Sequence, residues 1–258
     1  SLMSENERLF KELEALAIEI GAAASALLMD RPPAFSIETK TTAIDIATQM
    51  DVASEKLIVQ SILAARPGDG IIGEEGSERP SESGITWVID PLDGTVNYFY
   101  GMPGWNVSIA AKDSQGVAVG VVTAPTINST WSAVRGGGAF YNGARITCND
   151  PVELDRALIA TGFQYDVSVR DIQLRTINHL VPQIRDLRRN GAAAVDLCYV
   201  AMGAVDGYFE DGLKEWDRAA GGLIASEAGA LVTFDGATTV AAGPHLHGSL
   251  VAALKITR

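Results

Sequence analysis

Leu9, Leu13, Leu16, Ile20 and Leu27 recur at helical spacing, which predicts a helix from about residue 4 to residue 29. The run Asp30-Arg31-Pro32-Pro33 ends it. A second apolar stripe, Leu57, Ile58, Ile62 and Leu63, predicts a helix over 51–65, closed by Pro67-Gly68-Asp69-Gly70. Short apolar runs then alternate with turns and predict strands over 70–73, 86–89, 107–112, 117–124 and 129–135. Gly136-Gly137-Gly138 and Tyr141-Asn142-Gly143 punctuate the end of this sheet-rich half. The glycine triplet reads as a turn, because it lacks GxGxxG spacing and a following helix.

Beyond Asn149-Asp150-Pro151 the rhythm changes. Strands are expected over 158–162 and 208–210, a short extended piece over 187–189, and closing strands over 231–234 and 249–254. Helices are expected over 169–180, 191–203 and 216–228, the last two rich in Ala and Gly. Helices and strands interleave along the chain, so the fold class is mixed α/β with layered helices and sheets. The chain reads as one domain over 1–258, with two halves meeting near 149–151.

Composition narrows the chemistry. At 47% hydrophobic and 20% charged, the 258 residues are those of an ordinary soluble protein with a sizeable core. No apolar run approaches the roughly 18 residues that span a membrane. The start, Ser4-Glu5-Asn6-Glu7, lacks the blocks of a signal peptide, and Ser1-Leu2 ahead of Met3 reads as an expression remnant. Only Cys148 and Cys198 occur, without CxxC spacing, which suits a reducing cytoplasm and excludes a thiolate metal site. His179, His245 and His247 form no zinc-like set, and the last two read as surface residues in a Gly/Pro loop. Any metal is therefore expected on oxygen ligands. A net charge of −12 opposes nucleic-acid binding; an anionic substrate would need bound divalent cations to reverse the local sign.

Five segments carry candidate chemistry. In Trp87-Val88-Ile89-Asp90-Pro91-Leu92-Asp93-Gly94-Thr95-Val96-Asn97-Tyr98, an apolar strand delivers two carboxylates flanking Pro91-Leu92. Gly94-Thr95 then supplies a turn whose N–H groups could face an anion. The same residues also suit a plain Asp-Pro, Asp-Gly turn. Glu74 and Glu75 follow the strand Ile71-Ile72-Gly73, as ligands or as solvated loop charges. Asp51 ends the run that begins at Lys40, where it also suits a helix N-cap. Tyr208-Phe209-Glu210-Asp211-Gly212 runs from a strand into an acidic turn. Asp217 opens a helix, where an acid is favoured electrostatically in any case; the small residues behind it would let that helix pack closely.

Read together, residues 87–98 and 216–230 resemble the two signature segments of the inositol monophosphatase family. Residues 40–51 and 73–75 are similar to its other two active-site stretches, in the same order. The resemblance covers nearly the whole chain and implies the family's αβαβα sandwich. It implies that Glu74, Asp90 and the Leu92 carbonyl hold one Mg²⁺, and that Asp90, Asp93 and Asp217 hold a second, with a third ion near Glu74. Thr95 and Asp51, assisted by Glu74, would orient and deprotonate the attacking water, with Lys40 near the entrance. Gly94 and Thr95 would cradle phosphate through their N–H groups. Asp93, Asp217, Arg188, Ala193 and Glu210 would meet the substrate. The departures, Ala47 and Ala230 in place of a bulkier residue and a glycine, touch no ligand.

The implied function is Mg²⁺-dependent hydrolysis of a small phosphorylated polyol, foremost myo-inositol monophosphate, by direct attack of a metal-activated water. The implied protein is a cytoplasmic, lithium-sensitive homodimer with no membrane or nucleic-acid partner. Histidinol phosphate and fructose 1,6-bisphosphate are alternative substrates on the same scaffold. A regulatory partner of RNA polymerase and RNA is the reading from another class, with Arg185, Arg188 and Arg189 as its support.

Overall fold

The computed structural model describes residues 2–31, 37–164 and 166–255, and for 37–48 the backbone alone. Its first half is α1 (Glu5–Met29), α2 (Ile37–Ala65), β1 (Gly70–Gly73), β2 (Glu78–Arg79), β3 (Thr86–Asp93), α3 (Thr95–Tyr100), β4 (Asn106–Asp113), β5 (Gly116–Ala124), β6 (Ser129–Val134), β7 (Gly138–Tyr141) and β8 (Ala144–Ile146). The second half is β9 (Leu158–Thr161), α4 (Arg170–Leu180), β10 (Asp186–Arg188), α5 (Ala193–Met202), β11 (Gly207–Asp211), α6 (Glu215–Glu227), β12 (Leu231–Asp235), β13 (Thr238–Ala242) and α7 (Pro244–Leu254).

The strands form an eight-stranded sheet in the order β2-β1-β3-β4-β5-β6-β7-β8 and a five-stranded sheet in the order β10-β9-β11-β13-β12. Alternation along the strands decides what each face covers. Trp87 and Ile89 on β3 point to a core shared with Leu13, Ile20, Ile58 and Ile62 of α1 and α2. Val88, between them, points the other way, into a core with Leu197 and Val200 of α5 and Ala220 and Ile224 of α6. Ala160, Tyr208 and Ala241 of the second sheet join that same core. Their strand neighbours Ile159, Phe209 and Val240 pack instead on Leu246 and Leu250 of α7 and Leu180 of α4. Five layers result, helices, sheet, helices, sheet, helices, which is the expected αβαβα sandwich.

The middle layer is thin because its residues are small. A Cβ on Gly120 of β5 would stand 2.8 Å from the Ala220 carbonyl, and one on Gly221 would stand 2.9 Å from the Leu197 Cβ. Helix α6 can therefore lie against both β5 and α5, and its first turn reaches the end of β3.

Three expectations are corrected. Helix α2 begins at Ile37, so Asp51 lies in its middle and is not an N-cap. Residues 249–254 belong to α7 and form no strand: Leu246, Leu250 and Ala253 are buried at helical spacing after Pro244 at the first position. His245 and His247 sit on that helix rather than in a loop, and His247 is buried, with Nε2 2.9 Å from the Thr233 hydroxyl. Strand β13, unforeseen, pairs with β12 across Gly236-Ala237. No helix among the described residues is long and apolar enough to cross a membrane.

Candidate active site

An irregularity in β3 creates the site. Asp90 pairs with Ser108 and Asp93 with Asn106, so Pro91 and Leu92 face the single residue Val107. In a regular strand two side chains three residues apart point to opposite faces. The bulge cancels that offset, and both carboxylates reach the same cleft. Asp217 arrives from the third position of α6, where its Oδ2 accepts from the Lys214 backbone N at 2.8 Å. Carboxylate oxygens of Asp90, Asp93 and Asp217 all lie within 4.8 Å of one another.

The cleft holds about 410 Å³. Glu74, Asp90, Leu92, Asp93, Gly94, Thr95 and Asp217 line it, and Phe163, Arg189, Ala193, Glu210 and Lys214 are among its other lining residues. Gly94 brings two segments of the wall together. Its φ of 79° is left-handed, and an added Cβ would sit 3.2 Å from the Ala192 Cβ and 3.3 Å from the Gly191 carbonyl. Only glycine lets α3 start this close to the residues leading into α5.

Donors fix the acids. Oδ2 of Asp93 accepts from the Asn106 side chain at 2.7 Å and from the Ala194 backbone N at 3.0 Å. The Asn97 amide donates to the carbonyls of Asn190 and Pro103, tying α3 to the 190–193 segment. Across the cleft, the Tyr208 hydroxyl donates to Glu210 Oε1 at 2.9 Å.

The electrostatics are those of crowded like charges. Burial pushes Asp93 up to about 7, against the pull of its Asn106 bond. Asp90 is raised well above the usual carboxylate range, by burial first and then by Glu74. Glu74 and Asp217 are raised by burial as well. Asp51 does not line the cleft, yet burial and the charges of Glu75, Glu74 and Glu55 push it up to about 8. Its Oδ1 is buried without a hydrogen-bond partner among the described residues. Clustered oxygens, an orphaned carboxylate oxygen and raised proton affinities together fit a hard divalent cation that would replace the protons.

Two expected site residues, Asp51 and Arg188, do not line the cleft. Arg188 is outside the cleft and pairs with Asp186 at 3.0 Å; its neighbour Arg189 lines the cleft, because successive side chains of an extended segment alternate. Thr95 Oγ1 lies 3.4 Å from the Leu92 carbonyl. The side chain of Lys40, like that of Ala47, lies outside the described residues. Asn106, Lys214 and Phe163 carry no mark of a site in the sequence, and Arg189 stands there only as one member of a basic cluster, because their roles depend on partners distant in the chain.

Residues 10–254 match the sequence profile of the inositol monophosphatase family. The chain is 40% identical to the inositol-1-monophosphatase SuhB of Mycobacterium tuberculosis over 237 residues, 85% of this chain and 81% of that protein. It is 44% identical to the Nus factor SuhB of Pasteurella multocida over 205 residues, 78% of this chain and 77% of that relative. The solved inositol monophosphatase of Anabaena (Nostoc) sp. superposes with a TM-score of 0.85 at 32% identity, over 95% of each chain. By profile, relatives and fold, the chain belongs to the inositol monophosphatase family.

Proposed function

We propose that the protein hydrolyses a small phosphorylated polyol, foremost myo-inositol monophosphate, with two to three Mg²⁺ ions bound. The observation that carries this reading is the convergence of Asp90, Asp93 and Asp217 beside Gly94 and Thr95, in a cleft that continues to Glu210 and Arg189. The name of the M. tuberculosis relative, inositol-1-monophosphatase, supports the choice of substrate.

Glu74, Asp90, Asp93, Asp217 and the Leu92 carbonyl would hold the ions. Bound there, Mg²⁺ supplies positive charge to the phosphoryl and leaving oxygens and makes water more acidic. The chain's own residues do the rest. Gly94 and Thr95 present backbone N–H groups to the phosphate without reorganisation. Thr95 and Asp51 orient the attacking water and take up its proton, assisted by Glu74; burial and the acids beside it raise Asp51 to about 8, and cations bound among those acids would lower it and leave it ionised to accept the proton. At the alcohol end, Glu210 accepts from a ring hydroxyl while Arg189 donates to another, and Ala193 leaves room for the ring. A site built to bond hydroxyls discriminates strongly against analogues that lack them.

The test is phosphate release from a panel of inositol 1-phosphate, histidinol phosphate and fructose 1,6-bisphosphate, with and without Mg²⁺ and Li⁺. Inositol 1-phosphate should have the highest kcat/KM, and Li⁺ should inhibit. A higher value for histidinol phosphate would transfer the assignment to that ester. A second reading, a regulatory partner of RNA polymerase and RNA, is favoured by the name Nus factor of the P. multocida relative. The net charge of −12 opposes RNA contact. Silence of the whole panel together with tight polymerase or RNA binding would select it.

A further inference from the structure

Helix α2 meets the site through a single turn. Ser54 is buried, and its hydroxyl donates at 2.8 Å to the carbonyl of Pro91, inside the bulge between Asp90 and Asp93. Glu55, the next residue, is 2% exposed. Its Oε1 accepts from the Glu75 backbone N at 3.0 Å; its Oε2 accepts from the Ser77 backbone N at 3.1 Å and from the Ser77 hydroxyl at 2.7 Å. The carboxylate fills the hollow of the turn that follows β1. A Cβ on Gly73 would lie 2.4 Å from Oε1, so only glycine admits it.

Glu74 is held between Gly73 and Glu75, the two residues against which this carboxylate packs. Burying a charged group is costly even when it is bonded, and more so beside other acids. A neutral amide has a single acceptor oxygen and could not take all three bonds, so this place in the turn calls for a carboxylate. What the charge and its fixed bonds supply is a rigid seat for Glu74 and added attraction for a cation at its side.

We propose that Glu55 is a positioning residue for the divalent-cation site: its three bonds lock the 73–77 turn so that Glu74 faces Asp90 before any cation arrives. Ser54 does the same for the bulge, and the single turn 54–55 thus sets the spacing of two cation-bearing segments from different parts of the chain. The inference rests on the cation reading of the site. It predicts an effect on cation affinity and not chiefly on turnover.

Calorimetric titration of the full chain with Mg²⁺ tests it, on Glu55→Gln, Glu55→Asp and Ser77→Ala, with Asp93→Asn as reference. Amide exchange at Glu75 and Ser77 is followed in the metal-free protein. Glu55→Gln and Glu55→Asp should each weaken Mg²⁺ binding by about 10- to 100-fold, the usual effect of losing a group that orients a ligand. Exchange at the two amides should accelerate, and kcat at saturating Mg²⁺ should change far less than the affinity. Ser77→Ala should move affinity and exchange in the same direction by less. Glu55→Asp keeps the charge but withdraws the carboxylate, so a folded Glu55→Asp with unaltered affinity overturns the proposal. If neither Glu55 variant folds, unaltered Mg²⁺ affinity in Ser77→Ala despite faster exchange at Ser77 overturns it. Unaltered binding in Asp93→Asn would instead overturn the cation reading itself.

Discussion

The side-chain amide of Asn106 donates to Asp93 across the β3–β4 ladder at 2.7 Å, in a position closed to solvent. The two residues are paired by the same bulge that turns Asp93 toward Asp90. One irregularity therefore both aims the carboxylate and supplies the donor that keeps it ionisable.

Removal of that donor has a pH-dependent consequence. The Asn106 bond is the largest influence lowering Asp93, so Asn106→Ala should push the carboxyl further above about 7. A cation must then displace a proton held more tightly. Mg²⁺ affinity near neutrality should fall by about 10- to 100-fold, with a smaller deficit at high pH where the proton leaves unaided. Titration of Mg²⁺ dependence at two pH values checks this; a deficit equal at both would rule out the proton as the cause.

Without metal, the acids load the fold with repulsion. Asp51 is pushed up to about 8, and Asp93 and Glu210 each up to about 7, whereas unfolded carboxyls titrate near 4. Between those values the folded chain binds more protons than the unfolded one. Stability of the metal-free protein should therefore fall as pH rises from about 4 to about 8. Thermal melts in chelator should show a lower Tm at pH 8 than at pH 5, and Mg²⁺ should remove most of the drop. A metal-free Tm that climbs over this range would contradict the raised proton affinities.

Asp93→Asn separates catalysis from stability. On the proposed cation reading, activity should be lost by orders of magnitude, because the variant lacks one of the carboxylates that would hold the ions. The metal-free variant should nonetheless match the parent at pH 5 and exceed it at pH 8, where the parent carries an unwanted buried charge. A gain of about 1 kcal/mol would appear as roughly 2–4 °C in a chain of this size. Melts at both pH values, paired with phosphate release at saturating Mg²⁺, decide it.

The sequence displays what depends on strong local chemistry. Apolar alternation in 86–89 ending in Asp90, and small residues behind Asp217, announce both a buried strand and the acids at its end. What it conceals depends on partners distant in sequence. Asp51 looks like a helix cap because an acid before an apolar stripe usually is one; in the fold it is mid-helix, near Glu74 and Glu75. The run 249–254 is apolar enough to pass as a strand, and the sign of the helix is Pro244, well suited to a first helical position. Gly236, left-handed at the first position of the two-residue loop, is the corresponding signal for the β12–β13 hairpin. Glu55 carries no such mark, since its role exists only once Glu75 and Ser77 fold against it.

Adjacent arginines test the proposed contacts to the substrate alcohol. Arg188 is exposed and tied to Asp186; Arg189 lines the cleft, with its guanidinium 5.6 Å from the ring centre of Phe163. Arg189 also lowers Glu210, so its charge supports the ionised form of a carboxyl standing at about 7. Arg189→Ala should raise KM for inositol 1-phosphate by about 10-fold or more, the cost of a lost charged hydrogen bond, with a smaller change in kcat. It should also shift the pH dependence of KM upward, because Glu210 without the cation ionises later. Arg188→Ala loses an exposed ion pair and an exposed bond to the Leu187 carbonyl, and should leave both constants within about twofold. If Arg188→Ala proves the damaging substitution, the order of the two side chains along the 186–190 segment is reversed in the working enzyme.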